Sequence, residues 1–243
     1  MNNEQTDHAD LQHYLVVKGN DLIQHSRYSL TLLEQKVILY WITRIRPNDE
    51  DFAECEFDMN AFCDLCGITR NRKNRLNIEK TLVSLQTKNF AIVRPGEEAK
   101  EKVWYTWFSR IVLVEGSPKA RMAFDPTLKP YLLGLKSNFT PYWLENILPM
   151  RSGYSIRLYE LLRSFLNIGE CVYTLDELRA RLEAEYDRWD NLKARIIDKA
   201  VEEINEYTDI HAEYQTIRES YSVVAVRFII THQTRRQIGD HHD

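Results

Sequence analysis

Apolar residues recur at three- and four-residue steps in several stretches of this chain and alternate in the stretches between them. Leu33, Val37, Tyr40 and Trp41 mark a helix running to about Arg46, opened by Thr31 and Glu34 at capping-box spacing and closed by Pro47-Asn48-Asp49-Glu50. A short run over 14–18 and an edge run over 52–57 read as strands. Asp58 caps a helix over 59–65 that Gly67 stops. Thr69 caps the longer helix behind it, to residue 88. There Ile78, Leu82 and Leu85 share one face, and Arg70, Lys73, Asn74 and Asn77 share the other. Residues 90–93, 104–114 and 121–124 read as strands, and 95–102 is the loop between the first two. Further helical segments are predicted over 125–135 and 142–147.

The pattern then repeats. Ser155 caps a helix carrying Ile156, Tyr159, Leu162, Phe165 and Leu166. Thr174 and Glu177 form a second capping box, for a helix over 175–184. The long helix over 189–207 lines up Leu192, Ile196, Ala200, Ile204 and Tyr207, with Arg188, Asn191, Arg195 and Lys199 on the other side. Residues 210–216 and 223–232 make a terminal hairpin. Helix, turn, longer helix and hairpin is the order of a winged helix, written twice. The fold class is therefore α+β, with two tandem winged-helix domains over 14–150 and 151–232 and tails over 1–13 and 233–243.

Charge refines this picture. The 243 residues carry a net charge of −4, so the total gives no support to a nucleic-acid partner, and the distribution has to. Arg70, Arg72, Lys73, Arg75, Lys80 and Lys88 crowd the first long helix against the single carboxylate of Glu79. The second long helix starts basic and ends acidic, at Glu202, Glu203 and Glu206, against the preference of the helix dipole. Its cationic start is thereby available to a phosphate or a base edge. No apolar run approaches the ~18 residues of a membrane span. With no signal-peptide pattern at the start, the expectation is a cytoplasmic protein without membrane contact.

Catalytic readings find little. Cys55, Cys63, Cys66 and Cys171 do not make a disulfide framework. Cys63-Asp-Leu-Cys66 lacks a second C-x-x-C or a His pair and reads as buried structure beside Phe62 and Leu65. A nicking enzyme with a tyrosine nucleophile needs a His-hydrophobic-His motif, which none of the seven histidines forms. The phosphate-binding pattern G-x-x-x-x-G-K-[ST] is absent. The expectation is a protein that is not an enzyme and takes no cofactor or metal.

What remains is recognition of double-stranded DNA. The amino-terminal residues of a helix laid in the major groove reach base edges. The candidates in the first domain are Arg70, Asn71, Arg72, Lys73, Asn74 and Arg75, with Lys100 and Lys102 from the wing. In the second they are Arg188, Asn191, Lys193, Arg195 and Lys199, of which Lys193 suits phosphate. Trp104, Tyr105, Trp107 and Phe108 read as sheet packing. The strand edge over 104–114 is a candidate contact between copies.

Four segments then carry a resemblance: Val16-Val-Lys-Gly-Asn-Asp-Leu-Ile23, Leu30-Thr-Leu-Leu-Glu-Gln-Lys-Val-Ile-Leu39, Tyr154-Ser-Ile-Arg-Leu-Tyr-Glu-Leu-Leu162, and Trp189 with the run from Leu192 to Asn205. In this order they resemble the iteron-binding plasmid replication initiators with two winged-helix domains, over roughly residues 14–232. Members of that family are often basic, and this chain is not. The resemblance implies monomers that bind origin repeats and help open an AT-rich segment. It also implies dimers that repress the protein's own promoter, and recruitment of the host's replication initiator and helicase. It places Arg157 in the distinctive motif, as a DNA contact or as a partner of Glu160, and it implies a bacterial, plasmid-encoded source. A tandem winged-helix transcriptional regulator without initiator activity is the alternative.

Overall fold

The structure is a computed structural model that describes residues 15–46, 48–95 and 99–233. The predicted tails, Gln233 apart, and the centre of the first wing loop lie outside the described residues. The chain divides into two compact units between Pro149 and Met150.

The first unit runs β1 (Leu15–Gly19), α1 (Asn20–His25), β2 (Ser26–Arg27), α2 (Leu32–Ile42), β3 (Cys55–Asp58), α3 (Met59–Leu65) and α4 (Arg72–Thr87). It continues with β4 (Asn89–Pro95), β5 (Lys100–Thr106), β6 (Phe108–Leu113), β7 (Lys119–Phe124), α5 (Lys129–Leu132) and β8 (Phe139–Trp143). α2 is the central element, with Val37 to Ile42 buried on every side. That is the signature of an internal helix rather than of the one-faced helix its spacing predicts. Tyr40, Phe57 and Phe62 close an aromatic cluster joining α2 to β3 and α3, with centroids 5.3–5.6 Å apart and Tyr40 edge-on to both phenylalanines.

Two expectations for strands and helices change, and one pairing is added. Residues 104–114 are two strands in different sheets, because the chain crosses between them at Trp107, whose ring stacks on Phe90 at 4.2 Å. Tyr142 lies in β8, which pairs with β1, and not in a helix. β3 pairs with β7 and not with the wing hairpin, whose open side is taken by β2 (sheet order β2-β4-β5). Two helix starts move as well. Asn71, not Thr69, caps α4 by accepting from the Asn74 N–H at 2.8 Å.

A buried ionic knot fixes α4 against α2. Glu34 is 3% exposed. It accepts from the Thr31 N–H (2.7 Å), the Ser84 hydroxyl (2.8 Å) and Lys88 Nζ (2.7 Å). The capping box predicted at Thr31 is therefore also a tertiary link.

The second unit runs α6 (Gly153–Arg163), β9 (Glu170–Thr174), α7 (Leu175–Leu182), α8 (Trp189–Leu192), a π turn (Lys193–Ile197), α9 (Asp198–Tyr207), β10 (Ile210–Glu219) and β11 (Ser222–His232). Ser152, not Ser155, caps α6; Ser155 is wholly buried. The Thr174–Glu177 capping box is present. α7 ends two residues early because Glu183 turns left-handed, at φ 51°. The long helix forms with a π turn at its middle, which buries Ile196 and Ile197 together. Here the strand before the helix pair joins the hairpin, in the order β10-β11-β9. Asp209 accepts from Tyr159 Oη (2.8 Å) and Arg163 Nε (3.0 Å), locking α6 to the end of α9.

Burial raises the Glu34 carboxyl pKa, but the hydrogen bonds from Lys88, Thr31 and Ser84 outweigh it, and the net shift is downward. A carboxyl whose folded pKa lies below its unfolded value stabilises fully above the unfolded value and loses that stabilisation as pH falls through the folded one. Glu34→Gln is expected to lower unfolding free energy by about 2 kcal/mol at neutral pH. It should also flatten the acid limb of stability against pH in urea titrations, and an unchanged acid limb would contradict this.

Candidate nucleic-acid interface

The start of α4 is built from its own polar residues. Asn71 is spent on the cap, and Asn74 Nδ2 donates to the Thr69 carbonyl at 2.8 Å. Arg70 pairs with Asp64. Arg75 pairs with Glu79 at 3.0 Å and donates to the Ser117 carbonyl at 2.7 Å, so it braces the β6–β7 turn. Arg72, Lys73 and Lys80 are exposed and have no carboxylate partner among the described residues. They border a shallow depression with Asn74, Leu76 and Asn77. Four of the six predicted contacts thus shape the turn, and the open surface lies farther along the helix. Leu76, Asn77 and Lys80 were not among the predicted contacts. Their signal was present in the sequence, since Leu76, Asn77 and Lys80 fall three, four and seven residues beyond Lys73 on the same face.

On the wing, Lys100 and Lys102 stand on β5 rather than in the loop, because the β4–β5 ladder continues to Pro95↔Lys100. Both are exposed. Lys102 Nζ lies 4.6 Å from the Trp104 ring centroid. Trp104 corrects the packing expectation, being 62% exposed, whereas Trp107 and Phe108 are buried. The first five residues of β5, Lys100 to Trp104, are all exposed, so this edge strand stands clear of the core up to Trp104.

In the second unit Arg188, Asn191, Arg195 and Lys199 are exposed. Arg188 caps α8 without a side-chain hydrogen bond and lies 3.7 Å from Asp190, both well solvated. Arg195 sits over the Tyr186 ring at 5.7 Å. Lys199 has no carboxylate partner among the described residues. Lys193 donates to Asp198 at 2.8 Å, a bond that raises its pKa, and Asp198 also accepts from Tyr214 Oη. Lys193 is therefore engaged in fastening the helix to β10. Arg218 near the end of β10 and the almost fully exposed Tyr221 in the β10–β11 turn were singled out by no motif.

Arg157 is withdrawn as a DNA contact. It is 3% exposed, donates through Nε to the Arg181 carbonyl at 3.1 Å and lies 3.9 Å from Glu160, itself buried. An Arg three residues before a Glu pairs equally well on a surface and in a core, so spacing could not separate the two.

Burial pushes the Cys66 and Cys171 thiols up to about 12 each and raises Cys63 as well. Such thiols are poor nucleophiles and poor metal ligands at neutral pH. Among the described residues no cluster of His, Cys, Asp and Glu could hold a metal ion, and no helix is long and apolar enough to cross a membrane.

Residues 15–163 match the family described as Initiator Replication protein, WH1, and residues 174–230 match Initiator Rep protein, WH2. The chain belongs to the initiator replication protein family. It is a two-winged-helix member. The WH1 match runs through α6, although α6 packs on α9 within the second unit.

A replication initiation protein of Escherichia coli is 27% identical over 207 residues. The match takes in 81% of this chain but only 63% of that relative's length. An uncharacterized 27.6 kDa protein of Escherichia coli is 26% identical over 216 residues, 82% of this chain and 88% of the relative. The Pi initiator protein, solved in complex with iteron DNA, superposes with a TM-score of 0.74 at 18% identity, over 91% of this chain and 98% of that one. That likeness carries the fold.

Arg157→Ala is expected to cost about 3–5 kcal/mol of stability, because it removes a buried guanidinium that bonds the Arg181 carbonyl and lies beside the buried Glu160 carboxylate. Chemical denaturation checks this, and a loss below 1 kcal/mol would return Arg157 to the surface candidates.

Proposed function

We propose that this initiator-family chain binds repeated double-stranded DNA sites, the iterons of a plasmid origin, and starts replication there. The observation that carries this reading is one pattern found in each unit: a helix following the turn with exposed cations that no carboxylate among the described residues neutralises. These are Arg72, Lys73 and Lys80 on α4, and Lys199 on α9. The Pi initiator, which has the same fold and was crystallised on iteron DNA, supports it. Phosphate neutralisation supplies the grip, and groove-facing side chains supply the sequence choice.

The finer steps follow from the same reading. Monomers occupy the repeats and help open the adjacent AT-rich duplex. The host initiator and helicase are recruited to the opened DNA, and a dimer represses the promoter. The protein performs no bond chemistry itself, requires no cofactor and works in the bacterial cytoplasm. A pure transcriptional regulator separates from an initiator by one test: the gene plus its flanking repeats must maintain a plasmid that lacks any other origin.

Binding affinity is expected to fall with salt at a logarithmic slope of about −0.9 per neutralised phosphate. The triple variant Lys73→Glu, Lys80→Glu, Lys199→Glu should reduce that slope by roughly 2 to 3. An unchanged slope overturns the assignment of these faces.

The dimer contact is assigned to the outer edge of β5, where Val103 and Trp104 are exposed beside unpaired backbone. Trp104→Glu should lower the dimer fraction in sedimentation velocity at micromolar protein. The same fraction as wild type would remove β5 from the interface.

A further inference from the structure

α4 carries an unusual surface residue. Leu76 is 45% exposed, in the middle of a stripe of cations. At about 100° per residue, Lys73 and Lys80 fall on the mid-line of the exposed face, with Leu76 and Asn77 roughly 50° to either side. Arg72 lies beyond Leu76 on the same flank. No carboxylate pairs with Arg72, Lys73 or Lys80 among the described residues, and no hydrogen bond to the Asn77 carboxamide is found there. The face therefore offers a polyanion its cations, an uncommitted amide and a half-exposed isobutyl group. Asn71 and Asn74, the other amides near the helix start, are held in the cap.

We propose that α4 reads A·T base pairs in the major groove, Leu76 covering the 5-methyl group of a thymine and Asn77 bonding the N6/N7 edge of an adenine. The proposal deepens the DNA-binding reading above and rests on it. In the major groove thymine alone presents a methyl group, and apolar side chains are its partners. Adenine presents an acceptor and a donor side by side, which a carboxamide matches with two hydrogen bonds. A leucine in a wholly polar contact would gain nothing, whereas covering a methyl removes apolar surface from water on both partners. Flanking Lys73 and Lys80 reach phosphate and hold the helix at that depth.

Val83 supplies an internal control. It is also exposed and lies on the same line of the helix, seven residues on, about 10 Å farther from the amino-terminal end that reaches bases.

The test uses the full chain and a duplex enriched from a random pool by that chain. Each thymine is replaced in turn by deoxyuridine, which removes only the methyl, and each adenine by 7-deazaadenine, which removes N7. At one thymine or more the wild type should lose about fourfold in affinity on deoxyuridine. Leu76→Ala should be insensitive at that position, and Val83→Ala should keep the wild-type profile. Asn77→Ala should lose about tenfold on the natural duplex and be indifferent to 7-deazaadenine at one position. Thermal unfolding of Leu76→Ala should stay within a few degrees of wild type, since nearly half of the side chain already faces solvent. A flat deoxyuridine scan for the wild type, or a Leu76→Ala scan that still shows the wild-type loss, overturns this proposal while leaving DNA binding intact. Failure to enrich any duplex overturns the DNA-binding reading, and this proposal with it.

Discussion

Glu34 holds the first winged helix together. A carboxylate at the start of the central helix is shut away from water, and three donors make that tolerable: its own capping partner, a serine on α4 and the lysine that ends α4. A buried charge left without them would cost several kcal/mol, so the angle at which α4 leaves the core is tightly set. The aromatic cluster of Tyr40, Phe57 and Phe62 does the same for α3. Between them these contacts leave the far side of α4 facing solvent, with Arg72, Lys73, Leu76, Asn77 and Lys80 on it.

The second winged helix solves the same problem with other groups. Asp198 takes hydrogen bonds from Lys193 and from Tyr214 of the hairpin, and Asp209 takes them from Tyr159 and Arg163. The π turn lies between α8 and α9, next to the Lys193–Asp198 bond. An inserted residue of this kind changes which side chains face outward. Arg195 and Lys199 are exposed on either side of buried Ile196 and Ile197. Each unit thus spends several charged residues on holding a helix still and leaves a few free.

That division explains how a chain of net charge −4 can leave local cationic faces open to solvent. Many of its cations are neutralised within the protein, as Arg70, Arg75 and Lys88 are by Asp64, Glu79 and Glu34. What a phosphate meets is the local field of the unpaired remainder, not the total. The identity of the unpaired ones is a matter of packing, and composition carries no trace of it.

Patterns confined to one or two helical turns could be read directly from the residues. Both capping boxes, the helix pair ahead of each hairpin and the hairpin after each long helix follow from short-range spacing, because caps and amphipathic faces are made by neighbours in the chain. Partners distant in sequence could not be read that way. Whether Arg157 faced DNA or a buried glutamate, whether Trp104 packed or protruded, and whether β3 joined the wing or β7 all depended on strands and helices brought together from far along the chain. The same holds for Asn71 and Asn74, whose amides suit an adenine as well as a cap until the turn at Thr69 closes on them. Periodicity reports which face of an element is apolar, while the use of each polar group is settled by whatever the fold sets beside it.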